Sequence, residues 1–359
     1  MRRSVLVLLV LVVSAAAAGS TSYAATDGQA RQGVTRGVKH VPVPKVGRAV
    51  DTSHPDHVIG HGTPASCTGA KVVRAVAKGG VITFRCGPDP VVIAMHHTAK
   101  VVNEHQDGRD VRRVVIDGGG LVTLSGMGKR RILYQDTCDQ RQRWTTDHCD
   151  DQALPRLVVQ HLTFADGNST GNHVEGGGGG AVFDRGGQLK VVDATFLGNR
   201  CDRTGPDLGG AAVRALSQYH GLPVYVVGST FRGGRCSNGS ALSSIGVSWT
   251  VLNSIFVYNR ATGRGANPVH HPGQPGGGSG GAIYTDGNDY TLRVAGTLMR
   301  HNHANEGGGA IFYVSNDRSG RLHLRWSTLR DNVSAGFETR PGLFYEGRGP
   351  IDAQHSTIR

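Results

Sequence analysis

The chain has 359 residues, 54 of them glycine, with six cysteines and a net charge of +12. Beyond the N-terminus no run approaches ~20 apolar residues, which excludes an internal membrane-spanning helix, and the glycines keep no period of three, which excludes collagen. No basic run exceeds three residues and no nucleic-acid-binding motif occurs, so specific nucleic-acid recognition is not expected.

Arg2 and Arg3 precede an apolar run over residues 5–18, and Ser22-Tyr23-Ala24 has the small-residue pattern of a cleavage site. Residues 1–24 therefore read as an export signal, too short to span a bilayer, and the protein is expected to be secreted and extracellular. Cleavage there would remove two of the 39 basic residues and no acidic one, leaving a net charge of +10. Such a charge suits an acidic partner (uronate polysaccharide, teichoic acid, nucleic acid) or simply a solvated arginine-rich surface. The scatter of the basic residues favours the second.

Residues 25–60 are polar, carry Pro42, Pro44 and Pro55, and read as a flexible leader. Over 65–78, Val72, Val73 and Val76 mark one face of a short amphipathic helix that breaks at Gly79-Gly80, and a strand follows over 81–86. Residues 114–124 predict an early rung with a corner at Gly118-Gly119-Gly120. Without a G-x-x-x-x-G-K-[ST] pattern, this run reads as a turn and not as a phosphate cradle.

From residue 157 onward the chain repeats. Thr163, Thr195, Thr230, Ile255, Leu298, Thr328 and Thr357 form one column, at intervals of 32, 35, 25, 43, 30 and 29 residues. Four positions earlier stand Val159, Val191, Val226, Val251, Val294, Leu324 and Ala353, and two further back Leu157, Leu189, Val224, Trp249, Leu292, Leu322 and Ile351. An apolar pair at period two marks a strand with one buried face. Four positions after the anchor stand Asn199, Asn259, Asn302 and Asn332, with Gly167 and Gly234 as exceptions. Asparagine tolerates the left-handed conformation and bonds to its neighbours in a stack, so it suits a corner. Regular strands with irregular loops predict a parallel β-helix, 61–359, whose coils bury one another. Leucine-rich repeats need a tighter period, propeller blades need about four strands per unit, and a sandwich would not hold a register across seven units.

Six cysteines in an exported chain favour disulfides, and no C-x-x-C occurs to suggest zinc or redox chemistry. Their order suggests the local pairs Cys67–Cys86, Cys138–Cys149 and Cys201–Cys236, although fifteen connectivities are open.

Thr195-Phe196 with Asn199, followed by Gly-Gly-Ala-Ile at 280–283 and 308–311, resembles the repeats of polymorphic outer-membrane proteins. These belong to the pectin-lyase-like superfamily of right-handed parallel β-helices. The resemblance covers about residues 60–359. It implies an all-β solenoid, likens the short helix to the cap that closes the first coil, and places function in a groove walled by outward loops. It implies no one activity, because the superfamily hosts lyases, hydrolases, adhesins and inert scaffolds.

Two loops and one column are candidates for chemistry. The loop 136–155 sets Trp144 beside Arg143 and close to Arg141, a platform suited to a sugar ring. Asp147, His148, Asp150 and Asp151 lie beside it. Calcium is the one metal they suggest, but they lack the glycine and ligand spacing of a calcium loop, and no cofactor is expected. The loop 263–280 carries His270-His271, read as solvated. Counting three residues past each Gly-Gly-Ala gives Asp184, Arg214, Ser244, Thr285 and Tyr313, with Asp286 adjacent. Facing outward, Asp184 and Arg214 would pair across one coil as the catalytic residues of a lyase, with Tyr313 and Asp286 binding substrate. The plain alternative is a surface ion pair. Asp184 and Asp286 lie about 14 Å apart by stacking, too far for a hydrolase pair, and Asp166 with Glu175 could approach only through a loop.

The expectation is a secreted β-helix whose surface groove binds extracellular polysaccharide. The rivals are a lyase or glycoside hydrolase acting on an acidic polysaccharide, and an adhesive or structural surface protein. Residues 351–358 fit a last rung with an open edge. That edge is expected either to self-associate or to be covered by 337–350.

Overall fold

The computed structural model describes residues 39–105, 107–141, 149–173, 177–266 and 272–359, which lie within one compact unit, Gly37–Arg359. Trp144, Arg143, Asp147, His148, Glu175, His270, His271 and the expected export signal lie outside the described residues.

The chain winds into a parallel β-solenoid. Val159 pairs with Val191, Val191 with Val226, Val226 with Val251, Val251 with Val294 and Val294 with Leu324, all in parallel register and all buried. Below Val159 the column continues through Ile116 and Ile82. A second strip begins one corner later, where Thr163, Thr195, Thr230, Ile255, Leu298, Thr328 and Thr357 pair in turn. A third strip runs from Ala99–Lys100 to Leu343–Glu346, and a fourth, two residues wide, from Arg235–Cys236 to Val333–Ser334.

The interior is built of like on like. Phe164, Phe196, Phe231 and Phe256 stack nearly parallel with centroids 5.1, 4.8 and 4.6 Å apart. Identical side chains at a spacing of about 4.8 Å bury each other's faces, as in any stacked parallel sheet.

Two polar ladders close the corners. Asn259 Nδ2 donates to Asn302 Oδ1 at 2.9 Å, and Asn302 Nδ2 to Asn332 Oδ1 at 2.9 Å. The same oxygens accept the backbone N–H of the asparagine one coil below. The left-handed residue is not the asparagine but its predecessor: Tyr258, His301 and Asp331 have φ of 58, 54 and 56°. The asparagine turns inward, where its amide satisfies backbone groups that the corner strips from the ladder. At the preceding corner, Ser229, Ser254, Thr297 and Ser327 form a hydroxyl ladder. Each accepts the backbone N–H of the equivalent residue one coil below and donates to the carbonyl two residues before itself.

The helix Gly69–Lys78 caps the first coil with Val72 and Val76 buried. It starts at 69 and not at 65 because Pro64–Ser66 forms a separate 3-10 turn. Gly79 ends it in the left-handed region, at φ 72°. The three disulfides are the local pairs Cys67–Cys86, Cys138–Cys149 and Cys201–Cys236.

Two expectations about the ends change. Residues 39–56 do not hang free but lie as a strap along the outside of the first strip, and His57–Ile59 pairs with Ile82–Phe84 as a strand of that strip, with Ile59 in the core. The Gln160 amide pairs with both backbone groups of Val50 (2.8 and 2.9 Å), and Asn253 does the same for Val41 (2.8 and 2.9 Å). Lys190 Nζ donates to the carbonyls of Val46 and Arg48, and Val41 and Val43 cover outward-facing Val192, Val227 and Leu252. A polar, proline-bearing sequence suits such a strap because most of its ordering comes from side-chain amides of the body. Residues 337–350 do not fold over the last rung either. Leu343–Glu346 continues the third strip, pairing with Ile311–Val314, because Leu343-Phe344-Tyr345 matches Ile311-Phe312-Tyr313.

Asn302→Leu is expected to cost about 2–4 kcal/mol, since it leaves the N–H and amide of Asn259 buried without their acceptor. Val251→Asp, an unpaired charge in the continuous core, should exceed about 4 kcal/mol. Urea unfolding followed by circular dichroism checks both, and a loss below 1 kcal/mol for either would contradict the buried ladders.

Candidate functional site

Scattered arginines become a surface once the register is applied. One residue past the asparagine ladder, Arg200, Arg235, Arg260 and His303 pair with one another in successive coils. Each alternates with a buried inward neighbour, so the arginines point outward and are exposed. Two residues before the ladder, Arg232 is exposed and Arg300 and Arg330 are half-buried, again over inward Phe231, Met299 and Leu329. The two columns flank the left-handed corner, so cationic groups stand on both sides of it, one per coil of about 4.8 Å along the first column and interrupted by Val257 along the second.

Little among the described residues neutralises this corner. Among the described residues Arg200, Arg232 and Arg235 have no carboxylate within 4.0 Å, and Arg300 reaches Asp331 at 3.5 Å. Asp166 stands at the lower end of the corner. Burial raises its carboxyl above the usual range, and Arg200 opposes that rise. Tyr258 is 54 % exposed, its ring stacked on His301 with centroids 5.2 Å apart and carrying the Arg232 guanidinium at 5.6 Å. Burial and the neighbouring Arg260 hold His303 below the ordinary imidazole range. An aromatic face beside repeated, under-compensated guanidinium groups is suited to a polyanion that also carries rings.

The expected catalytic pair does not form. Val182 pairs with Val213, so Asp184 stands opposite Ala215 and Arg214 opposite Phe183. The unit at 209–213 carries one more residue than a Gly-Gly-Ala count allows, and a one-residue slip moves a side chain to the other face. Asp184 points inward and is fully buried, while Arg214 points outward and is buried beneath loops. Arg214 Nη1 donates to Ser243 Oγ at 3.1 Å, and burial pushes its pKa down to about 10. Tyr313 is fully buried, its hydroxyl donating to the Tyr290 carbonyl at 2.9 Å, so it is not a surface binding residue. Asp286 is committed to the Tyr284 hydroxyl, the Gly287 N–H and the Asn316 amide. Asp150 lies beside Cys138 and Cys149, whose sulfurs are joined to each other. The arginine columns were present in the sequence as the second and fifth positions after each anchor. A surface column carries no hydrophobic period that would mark it in the sequence.

Asp184 explains two otherwise stranded atoms. Its Oδ2 accepts from Gln218 Nε2 at 2.6 Å, while its Oδ1 and the Oε1 of Gln135, its register neighbour, have no partner. A proton on Asp184 lets the one oxygen donate to the other. Burial raises this carboxyl well above its ordinary value, with Asp136 adding to the effect and the side chains of Gln218 and Gln135 opposing it. The folded state therefore holds a proton that the unfolded chain loses above about pH 4. Stability from this group is whole below that pH and falls as pH rises toward the folded pKa, by at most about 1.4 kcal/mol per pH unit. Asp184→Asn should flatten that slope and raise the melting temperature at pH 7, as read by thermal melts from pH 4 to 8. An unchanged slope would mean that Asp184 is ionised.

No protein-family model, curated protein or solved structure matches the chain.

Proposed function

We propose that the protein binds an acidic extracellular polysaccharide along the arginine-bearing corner and holds it without turnover. The observation that supports this is the ladder Arg200, Arg235 and Arg260, one cation per coil on an exposed column that His303 continues. A repeating cation array favours a repeating anion, because each added contact lies in the same direction and register as the last. Holding without turnover is favoured because Asp184 and Arg214, the pair suited to elimination, are buried on opposite faces of their strip. Three disulfides and the signal-like N-terminus support an extracellular setting. The parallel coils and the Gly-Gly-Ala repeats support kinship with pectin-lyase-like β-helices.

The test is titration of the protein with polygalacturonate and with a neutral glucan, over a range of salt. Binding to the acidic polymer alone, weakening steeply with salt, is expected. Arg235→Ser with Arg260→Ser should reduce affinity about tenfold, since exposed charge contacts contribute up to about 1 kcal/mol each. Equal binding of the neutral polymer, or indifference to the double substitution, would refute the reading. Appearance of unsaturated or reducing ends would replace holding with turnover.

A further inference from the structure

The left-handed corner between the two arginine columns is occupied in succession by Asp166, Gly198, Gly233, Tyr258, His301 and Asp331, with φ between 51 and 68°. Four of the six carry side chains in this conformation, so the backbone alone does not demand glycine at 198 and 233. What the glycines provide is space. A Cβ placed on Gly233 would meet nothing within 4 Å, and one on Gly198 would meet only Asp166 Oδ1, at 3.2 Å. The result is a trough two coils long. Asp166 closes it below and Tyr258 above, about 14 Å apart over three coil steps. Leu197 and Arg232 stand along one side, and Arg200 and Arg235 along the other.

The opposite corner shows what such a gap accepts. There Gly296 lies beneath the strap, with Lys39 O 2.9 Å and Val41 N 3.3 Å from the Cβ position. That gap is filled by the chain itself, whereas the trough over Gly198 and Gly233 is open.

We propose that this trough is a subsite for a single ring of an acidic polysaccharide, a pyranose bearing both a carboxylate and free hydroxyls. This rests on the polyanion reading above and narrows it. The guanidinium groups of Arg232, which lies on the Tyr258 ring, and of Arg235 take the carboxylate, the Asp166 carboxyl accepts hydroxyl hydrogen bonds, and Leu197 and the exposed edge of Tyr258 take the C–H side of the ring. A polyphosphate has no hydroxyl for Asp166 and meets its charge instead. A single-stranded nucleic acid is bound best where successive bases find successive aromatic faces, and this corner offers one tyrosine backed by one histidine.

The test uses the full chain and three probes: a defined oligogalacturonate, inorganic polyphosphate and oligothymidylate. Gly233→Asn fills the trough with a residue that tolerates positive φ. Gly246→Asn, at φ 66° with nothing within 4 Å of its Cβ position and outside the trough, is the control. Gly233→Asn should weaken oligogalacturonate about tenfold and leave polyphosphate unchanged, while Gly246→Asn alters neither. Tyr258→Ala should show the same selectivity, and it carries the test if Gly233→Asn does not fold. Equal losses for both polymers, or none for either, would overturn the subsite while leaving polyanion binding standing. Loss confined to oligothymidylate would assign the trough to nucleic acid and overturn the sugar. Failure of the unaltered protein to bind any probe would sink the polyanion reading itself.

Discussion

Each coil hydrogen-bonds to the next through parallel ladders, so every residue sits directly on its counterpart one turn earlier. A valine therefore packs on a valine, and a phenylalanine ring lies on a phenylalanine ring within about 5 Å, as Phe164 to Phe256 do. The same constraint acts on polar groups. An amide at one corner must bond to an amide above it or leave both unsatisfied in the core, and a lone polar residue is costly where a column of them is not. This is why asparagine and serine recur at fixed positions while the loops between them vary in length.

Outside the core, stacking turns into display. A side chain that would be an ordinary surface arginine in another fold is here followed by another one coil later and another after that. Repulsion between such neighbours is screened by water and salt, so exposed cations can line up where buried ones could not. Arg214, which lies on the buried side of a loop-covered strip, shows the contrast in its lowered pKa.

The two left-handed corners have been put to different uses. At the first, Asn253 and Gly296 receive the chain's own strap, whose backbone is held by side-chain amides in place of a strand ladder. At the second, Gly198 and Gly233 leave the corner open between charged columns. The strap buries apolar residues that would otherwise form an exposed patch, Val192, Val227 and Leu252. The open corner exposes the Tyr258 ring and part of Leu197 among charged groups, so water can occupy it until a ligand does.

The buried valine column, the asparagine ladder, the capping helix and the three cysteine pairs were legible in the sequence. Each is a local or strictly repeating pattern, and stacking admits one arrangement of such a pattern. The face taken by Arg214 was not legible, because one extra residue in a glycine-rich turn shifts the count by one along the strand that follows, and so the face of each of its side chains, and costs the loop almost nothing. The docking of residues 39–56 was hidden for a different reason. Its partners, Gln160, Lys190 and Asn253, lie more than a hundred residues away and become neighbours of one another only through the winding of the coils. The arginine corner stands between these cases. Its positions are fixed by the same register as the core, but a surface column carries no hydrophobic period to announce it, and only the outward turn of the backbone at each corner decides that those side chains meet solvent together.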